Sequence, residues 1–160
     1  MENWTEKNIA TIEEKLKDAS TRDKRFFRID ELKRNVERVG QFSDSCGSCN
    51  KLKNNIEEVV KIIDIAVEQP GKNRRNFDKT INQLSKHMQK QHHFYAPYYF
   101  TYLFSFWGII IGSLIGGIPL LFVANDKLLI LSIGFSLGMI VGYFIGNSKD
   151  SKIRKENRLL

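Results

Sequence analysis

The pattern of hydrophobic and polar positions changes at about Tyr95. Ahead of this residue, apolar side chains recur at steps of three and four among charged ones, the spacing of amphipathic helices. Beyond it, apolar residues follow one another with few charges. The sequence therefore predicts an all-α protein with a cytosolic, four-helix bundle-like domain over residues 1–95. A transmembrane hairpin of two helices over 98–147 and a basic cytosolic tail over 148–160 follow it.

Four amphipathic helices are predicted in the first domain, at about residues 3–19, 22–42, 49–69 and 72–93. Ser43 to Ser45 and the Pro70-Gly71 pair supply breaks between them. Pro97 marks the joint with the membrane part. The stripes are expected to form the core; they include Ile9, Ile12, Leu16, Phe26, Ile29, Leu32, Val36, Leu52, Ile56, Val59, Phe77, Ile81 and Leu84.

Two uncharged runs follow, and each is long enough to cross a bilayer. Phe100 to Val123 has 24 residues and Leu128 to Gly146 has 19, compared with the ~20 needed to span a hydrocarbon core. Pro119 is a predicted kink in the first span. The polar break Asn125-Asp126-Lys127 is so short that the spans must be antiparallel.

Flanking cations predict the orientation of the hairpin. Lys86 and Lys90 precede the first span, and five cations follow the second. Because positive residues favour the cytosolic side, both termini are expected in the cytosol. The first residues, Met1 to Lys7, lack the pattern of a secretory signal. The protein is thus predicted to be an integral membrane protein, of the inner or plasma membrane in a bacterium.

Glycines recur every fourth residue in both spans, which places each set on one helix face. Such faces allow close backbone approach, the main means of helix association in lipid. They predict either packing within one hairpin or a seam between chains of an oligomer. The glycines are Gly108, Gly112, Gly116, Gly134, Gly138, Gly142 and Gly146.

Charge restricts the classes of function. Residues 1–95 hold 19 of the 25 Lys and Arg and 15 of the 18 Asp and Glu, a net charge of only +4. This balance does not indicate nucleic-acid binding. Neither span contains an ionisable acid, base or histidine, which disfavours a carrier or pump. The basic tail is suited to anionic lipid headgroups.

The chain has one cluster of residues with metal-binding chemistry. Cys46 and Cys49 have the two-residue spacing that lets both sulfurs reach one ion, and the three histidines, His87, His92 and His93, come later. A helical hairpin about Pro70-Gly71 pairs positions that sum to 141 or 142. Cys49 should therefore lie opposite His92 or His93, and two thiolates with two imidazoles would satisfy tetrahedral zinc.

Helix geometry raises an objection to this zinc site. Five residues rotate a side chain by about 140° on an ideal helix, so His87 and His92 do not share a face. Either the helix loosens near its end, or another ligand such as Asp44 takes part, with His93 as a substitute histidine. His92 is the safer single ligand because His87 lies more than a turn from the level of Cys49. Idle cysteines and redox chemistry are the two alternatives.

Together these features predict a non-enzymatic membrane scaffold or anchor, with a cytosolic interaction domain clipped by structural zinc. Its expected partners are the bilayer and an unknown cytosolic protein. The alternative is a homo-oligomeric channel or pore-forming effector that self-associates through its glycine-rich hairpins. A closed four-ligand site has no coordination position for a reacting water, so no hydrolysis is expected.

Overall fold

The computed structural model describes residues 3–118 and 127–160, and over these residues the protein is all-α, as predicted. The described part forms eight helices in two compact units. The first unit contains the residues up to Phe94 together with Leu160, and the second contains Tyr95–Leu159. The helices are α1 (Trp4–Lys15), α2 (Thr21–Phe26), α3 (Ile29–Phe42), α4 (Gly47–Lys61), α5 (Ile63–Glu68), α6 (Lys72–His92), α7 (Tyr99–Gly117) and α8 (Lys127–Lys155).

The first unit has six helices where the sequence predicted four. The predicted helix over 22–42 is divided into α2 and α3, and that over 49–69 into α4 and α5. The first division falls at Arg28, which adopts a left-handed backbone conformation with φ 55°. Its guanidinium donates to Glu31 of α3 and to Asn82 Oδ1 of α6 at 2.8 Å. These bonds hold the corner without a glycine or proline.

Helix ends also differ from the prediction. α1 ends at Lys15, four residues before the predicted end, and the chain then turns, with the Lys17 N–H bonded to the Glu14 carbonyl and the Ala19 N–H to the Leu16 carbonyl. The Ser20 side chain caps the next helix by accepting a hydrogen bond from the Asp23 N–H. α4 begins at Gly47, two residues earlier than predicted. This earlier start puts Cys46 at the N-cap and Cys49 in the first turn.

The core of the first unit joins its apolar stripes. α4 packs on both α3 and α6, and its Leu52 and Ile56 are buried, as are Leu84 and Met88 of α6. The N-terminal half of α4 therefore runs beside the C-terminal half of α6, the pairing that the turn at Pro70-Gly71 predicts. The largest fully buried side chains include Phe77, Ile12, Leu32, Ile56, Ile63, Ile81, Leu84, Met88, Val36, Val39 and Val59. Phe26 of α2, which the apolar pattern placed in the core, is instead 75% exposed.

The second unit is an antiparallel pair of apolar helices. Both are long and apolar enough to cross a membrane. Only 17% of the most apolar stretch of α7 and 6% of that of α8 is buried inside the protein. Their outward surfaces are therefore apolar and largely uncovered. α8 continues to Lys155, nine residues beyond the predicted end of the second span. The end of the first span lies outside the described residues, as do Pro119, Asn125 and Asp126.

Glycines bring the two helix backbones of this unit together. A Cβ added at Gly108 or Gly138 would fall less than 3.0 Å from the backbone of the other glycine. A Cβ added at Gly112 would likewise fall less than 3.0 Å from the backbones of Gly134 and Gly138, and one added at Gly142 less than 3.0 Å from the backbone of Phe104. The contacts lie within one hairpin. The remaining predicted glycines also contact the partner helix, namely Gly116 against Gly134, and Gly146 against Phe100 and Thr101.

A carboxylate near the end of α8 caps the start of α7. Asp150 is only 3% exposed, and its carboxylate accepts hydrogen bonds from the Phe100 N–H at 3.1 Å and the Thr101 N–H at 2.8 Å. The Thr101 hydroxyl donates a third, at 2.6 Å. Because the first N–H groups of a helix lack intrahelical partners, this anion stabilises the helix end. Asp150 lies in the segment that the sequence analysis treats only as a basic tail, so this cap was not predicted.

Candidate metal centre

The two cysteines occupy the corner between α3 and α4. Cys46 is the N-cap of α4, with extended backbone angles of φ −127° and ψ 108°. The backbone N–H of Cys49 holds the pKa of the Cys46 thiol below its usual 9.0, with smaller contributions from the Cys49 side chain and the Ser48 N–H. A lowered pKa favours the thiolate, the form that binds metal.

Cys49 lies one turn further along α4 and is fully buried. Burial raises the pKa of its thiol to about 12, and the neighbouring Cys46 sulfur adds to the rise. A buried thiolate needs a compensating positive charge. A divalent cation bound here would supply that charge in place of the proton.

The last two turns of α6 carry the two histidines. His87 Nε2 lies 3.2 Å from Cys49 Sγ and 3.6 Å from Cys46 Sγ, and His92 Nε2 lies 3.3 Å from Cys49 Sγ. Burial lowers the pKa of both imidazoles, and the second ring nearby lowers it further for His87. Both rings therefore favour the neutral form that ligates metals.

The end of α6 and one aromatic ring fix the orientation of His92. The helix is regular as far as His92 and then ends through His93, whose backbone is left-handed with φ 57°. The Phe94 N–H closes the turn on the Met88 carbonyl at 3.2 Å. The Phe42 ring, from the end of α3, stacks on the imidazole of His92 with centroids 4.1 Å apart. Sequence reasoning missed this contact, although Phe42 lies only four residues before Cys46.

The four ligand atoms converge tightly enough for one ion. The sulfurs of Cys46 and Cys49 and one nitrogen each of His87 and His92 all lie within 4.8 Å of one another. We call these four residues the metal group. In tetrahedral zinc sites, bonds of about 2.3 Å to sulfur and about 2.0 Å to nitrogen put S and N atoms roughly 3.5 Å apart. Three of the four S–N distances, at 3.2, 3.3 and 3.6 Å, are close to that edge.

Three details of the predicted site need correction. α6 stays regular as far as His92. It does not need to loosen, because the imidazole side chains are long enough to converge on Cys49 from a regular helix. His87 is as close to Cys49 as His92 is, so the difference of one turn does not exclude it. Neither Asp44 nor His93 belongs to the group that the structure brings together.

Comparison of the chain with models of known protein families, with curated proteins and with solved structures finds no match. The fold and the site define an all-α protein with a Cys2His2 group that could hold a metal ion and two helices that could cross a membrane.

Proposed function

We propose that the protein is an integral membrane anchor whose helical domain is clipped by structural zinc and presents a surface to cytosolic partners. The observation that carries the proposal is the convergence of the metal group, whose four ligand atoms lie within 4.8 Å of one another. Two thiolates and two neutral imidazoles form a complete zinc coordination set. A full set leaves no position for substrate or activated water, and the proposed role of the metal is mechanical.

The expected mechanical effect follows from where the ligands lie in the chain. Cys46 and Cys49 belong to the corner that begins α4, whereas His87 and His92 belong to the end of α6. Zinc would join these two places, which are 38 to 46 positions apart. It would therefore rigidify the end of the domain from which the chain continues to α7, which begins at Tyr99.

The membrane assignment is supported by the exposure of the second unit. Apolar residues cover the outside of α7 and α8, and such a surface is stable in lipid. Lys86 and Lys90 precede α7, and the cations Lys149, Lys152, Arg154, Lys155 and Arg158 lie near the end of α8 or just beyond it. The positive-inside rule favours a cytosolic location for both termini.

A homo-oligomeric channel or pore-forming effector is the competing proposal. Its proposed seam would use the glycine faces, but these glycines already contact the backbone of the other helix in the same hairpin. Mass measurement of the full chain in nanodiscs separates the two proposals. A strict monomer excludes a pore built from several hairpins and leaves the anchor.

Elemental analysis of the purified full chain tests the zinc clip. The expected result is about one zinc per chain, and loss of zinc in a Cys46→Ser, Cys49→Ser double variant. A His93→Ala variant is the matched control, because His93 adjoins the metal group without belonging to it. Equal and negligible zinc in the natural chain and the double variant would refute the clip.

A further inference from the structure

A polar groove lies beside the metal group, between the first half of α4 and the second half of α6. It encloses about 400 Å³, a volume typical of ligand sites. Lys51 of α4 and Lys86 and Lys90 of α6 line it, and we call it the lysine groove. Buried Leu52 and half-buried His87 also contribute to its wall. The remaining lining residues are uncharged and polar, namely Ser48, Asn55, Gln83 and Gln91.

The lysine groove differs from another polar cleft of the same unit in having no acidic residue in its wall. In the cleft between α1 and α3, Lys24 and Lys33 are accompanied by Glu13 and Asp30, and Lys33 Nζ lies 2.8 Å from a Glu13 oxygen. That cleft neutralises its own cations. Among the described residues, the ion pairs of the protein do not engage any lysine of the lysine groove.

We propose that the lysine groove binds a phosphate-bearing anion, either the headgroup of an anionic phospholipid or a soluble phosphorylated molecule. Lys86 and Lys90 are four residues apart on α6, so their like charges lie side by side and repel each other. An anion between them and Lys51 relieves this repulsion and gains ammonium hydrogen bonds. The amides of Asn55 and Gln83 add further donors.

The position of the groove in the chain makes both sources accessible to it. Lys51, Lys86, Lys90 and Gln91 are exposed, which leaves the groove open to solvent. Lys90 lies nine positions before Tyr99, where α7 begins, and nine residues span at most ~30 Å. A headgroup of the surrounding bilayer and a soluble phosphate compound therefore share one binding chemistry, and the experiment has to separate them.

The test uses the full chain in dodecyl maltoside micelles, which contain no phosphorus. In one arm, inorganic phosphate is titrated and its binding is followed by the ³¹P NMR line width. In the other, native mass spectrometry counts phosphatidylglycerol and phosphatidylcholine retained from mixed micelles. A triple variant carries Lys51→Gln, Lys86→Gln and Lys90→Gln. In whichever arm the natural chain binds the anion, this variant is expected to bind it at least about tenfold more weakly, because charged hydrogen bonds are lost.

Two controls separate the groove from net charge and from misfolding. The control triple variant Lys17→Gln, Lys72→Gln and Lys79→Gln removes equal charge from exposed positions of the same unit and should bind like the natural chain. A Lys→Arg triple variant at the groove positions should retain binding.

The outcomes decide both the proposal and the source of the anion. Preference for phosphatidylglycerol alone assigns a lipid headgroup, and binding of phosphate alone assigns a soluble ligand. Binding in neither arm, or equal losses in both Lys→Gln triple variants, overturns the proposal. The zinc clip is unaffected by this result, since the three lysines are outside the metal group.

Discussion

Cys49 and His92 are 43 positions apart in the chain, yet Cys49 Sγ lies 3.3 Å from His92 Nε2. They meet because α4 and α6 run side by side with their connection near Pro70 and Gly71. A His92→Ala variant is expected to weaken zinc binding at least about a hundredfold, a larger loss than that from changing an outer partner. Competition with a chromophoric chelator measures the affinity. His93→Ala should bind zinc as the natural chain does, and similar losses in both variants would contradict the assignment.

Removal of zinc should destabilise the first unit and leave the hairpin helical. We expect a chelator to lower the unfolding midpoint of this unit by about 8 °C or more, which corresponds to about 2 kcal/mol for a domain of this size. Thermal circular dichroism in detergent measures the midpoint. The Cys46→Ser, Cys49→Ser variant should not respond to the chelator. A response of the same size in that variant would assign the effect to something other than the metal group.

The stack of Phe42 on His92 predicts a graded effect on the site. Phe42→Ala removes the ring that fixes the imidazole and should weaken zinc affinity about tenfold, while one zinc per chain is still bound at saturation. Phe42→Tyr retains an aromatic face and should keep most of the affinity. The same chelator competition gives both values, and an unchanged affinity in the alanine variant would show that the stack does not support the ligand.

The glycine contacts of the hairpin predict opposite effects at two positions. Gly138→Ala places a methyl group against the Gly108 backbone and should destabilise the hairpin by about 1–3 kcal/mol. Gly117→Ala has nothing within 4 Å of the added carbon and should be neutral or slightly stabilising, because alanine favours helix. Unfolding by SDS, followed through Trp107 fluorescence in a Trp4→Phe background, compares the two. Equal stability of the two variants would refute the close approach.

The cap formed by Asp150 can be tested in the same assay. Asp150→Ala leaves the N–H groups of Phe100 and Thr101 without their acceptor and should cost about 1–2 kcal/mol. Thr101→Val removes only the hydroxyl donor and should cost less. If the valine variant proves the more damaging of the two, the carboxylate is not the main support of the start of α7.

The periodicity of apolar residues predicted much of the fold, because these residues recur on the helix faces that are buried. The apolar steps in α3, α4 and α6 coincide with their buried residues, and the turn at Pro70-Gly71 gave the register that brings Cys49 to His92. The break at Arg28 was missed because its left-handed backbone is held by long-range bonds to Asn82 and Glu31. A non-glycine residue in that conformation has no local sequence signal.

How far side chains extend from the helix backbone was underestimated from the sequence, and this explains the errors about the site. Rotation about an ideal helix separates His87 from His92, but it describes Cβ directions and ignores the length of an imidazole arm. The cap formed by Asp150 was missed for a related reason. Its partners Phe100 and Thr101 lie about 50 positions away, and a carboxylate among cations is usually solvated.

The order of the metal group along the chain bears on biosynthesis. His92 is its last member and is translated seven residues before Tyr99, where the first apolar helix begins. Domains fold during synthesis in order from the N-terminus. All four ligands of the proposed clip are thus synthesised before the first residue of the apolar segment, so that capture of zinc would require none of the membrane-spanning part of the chain.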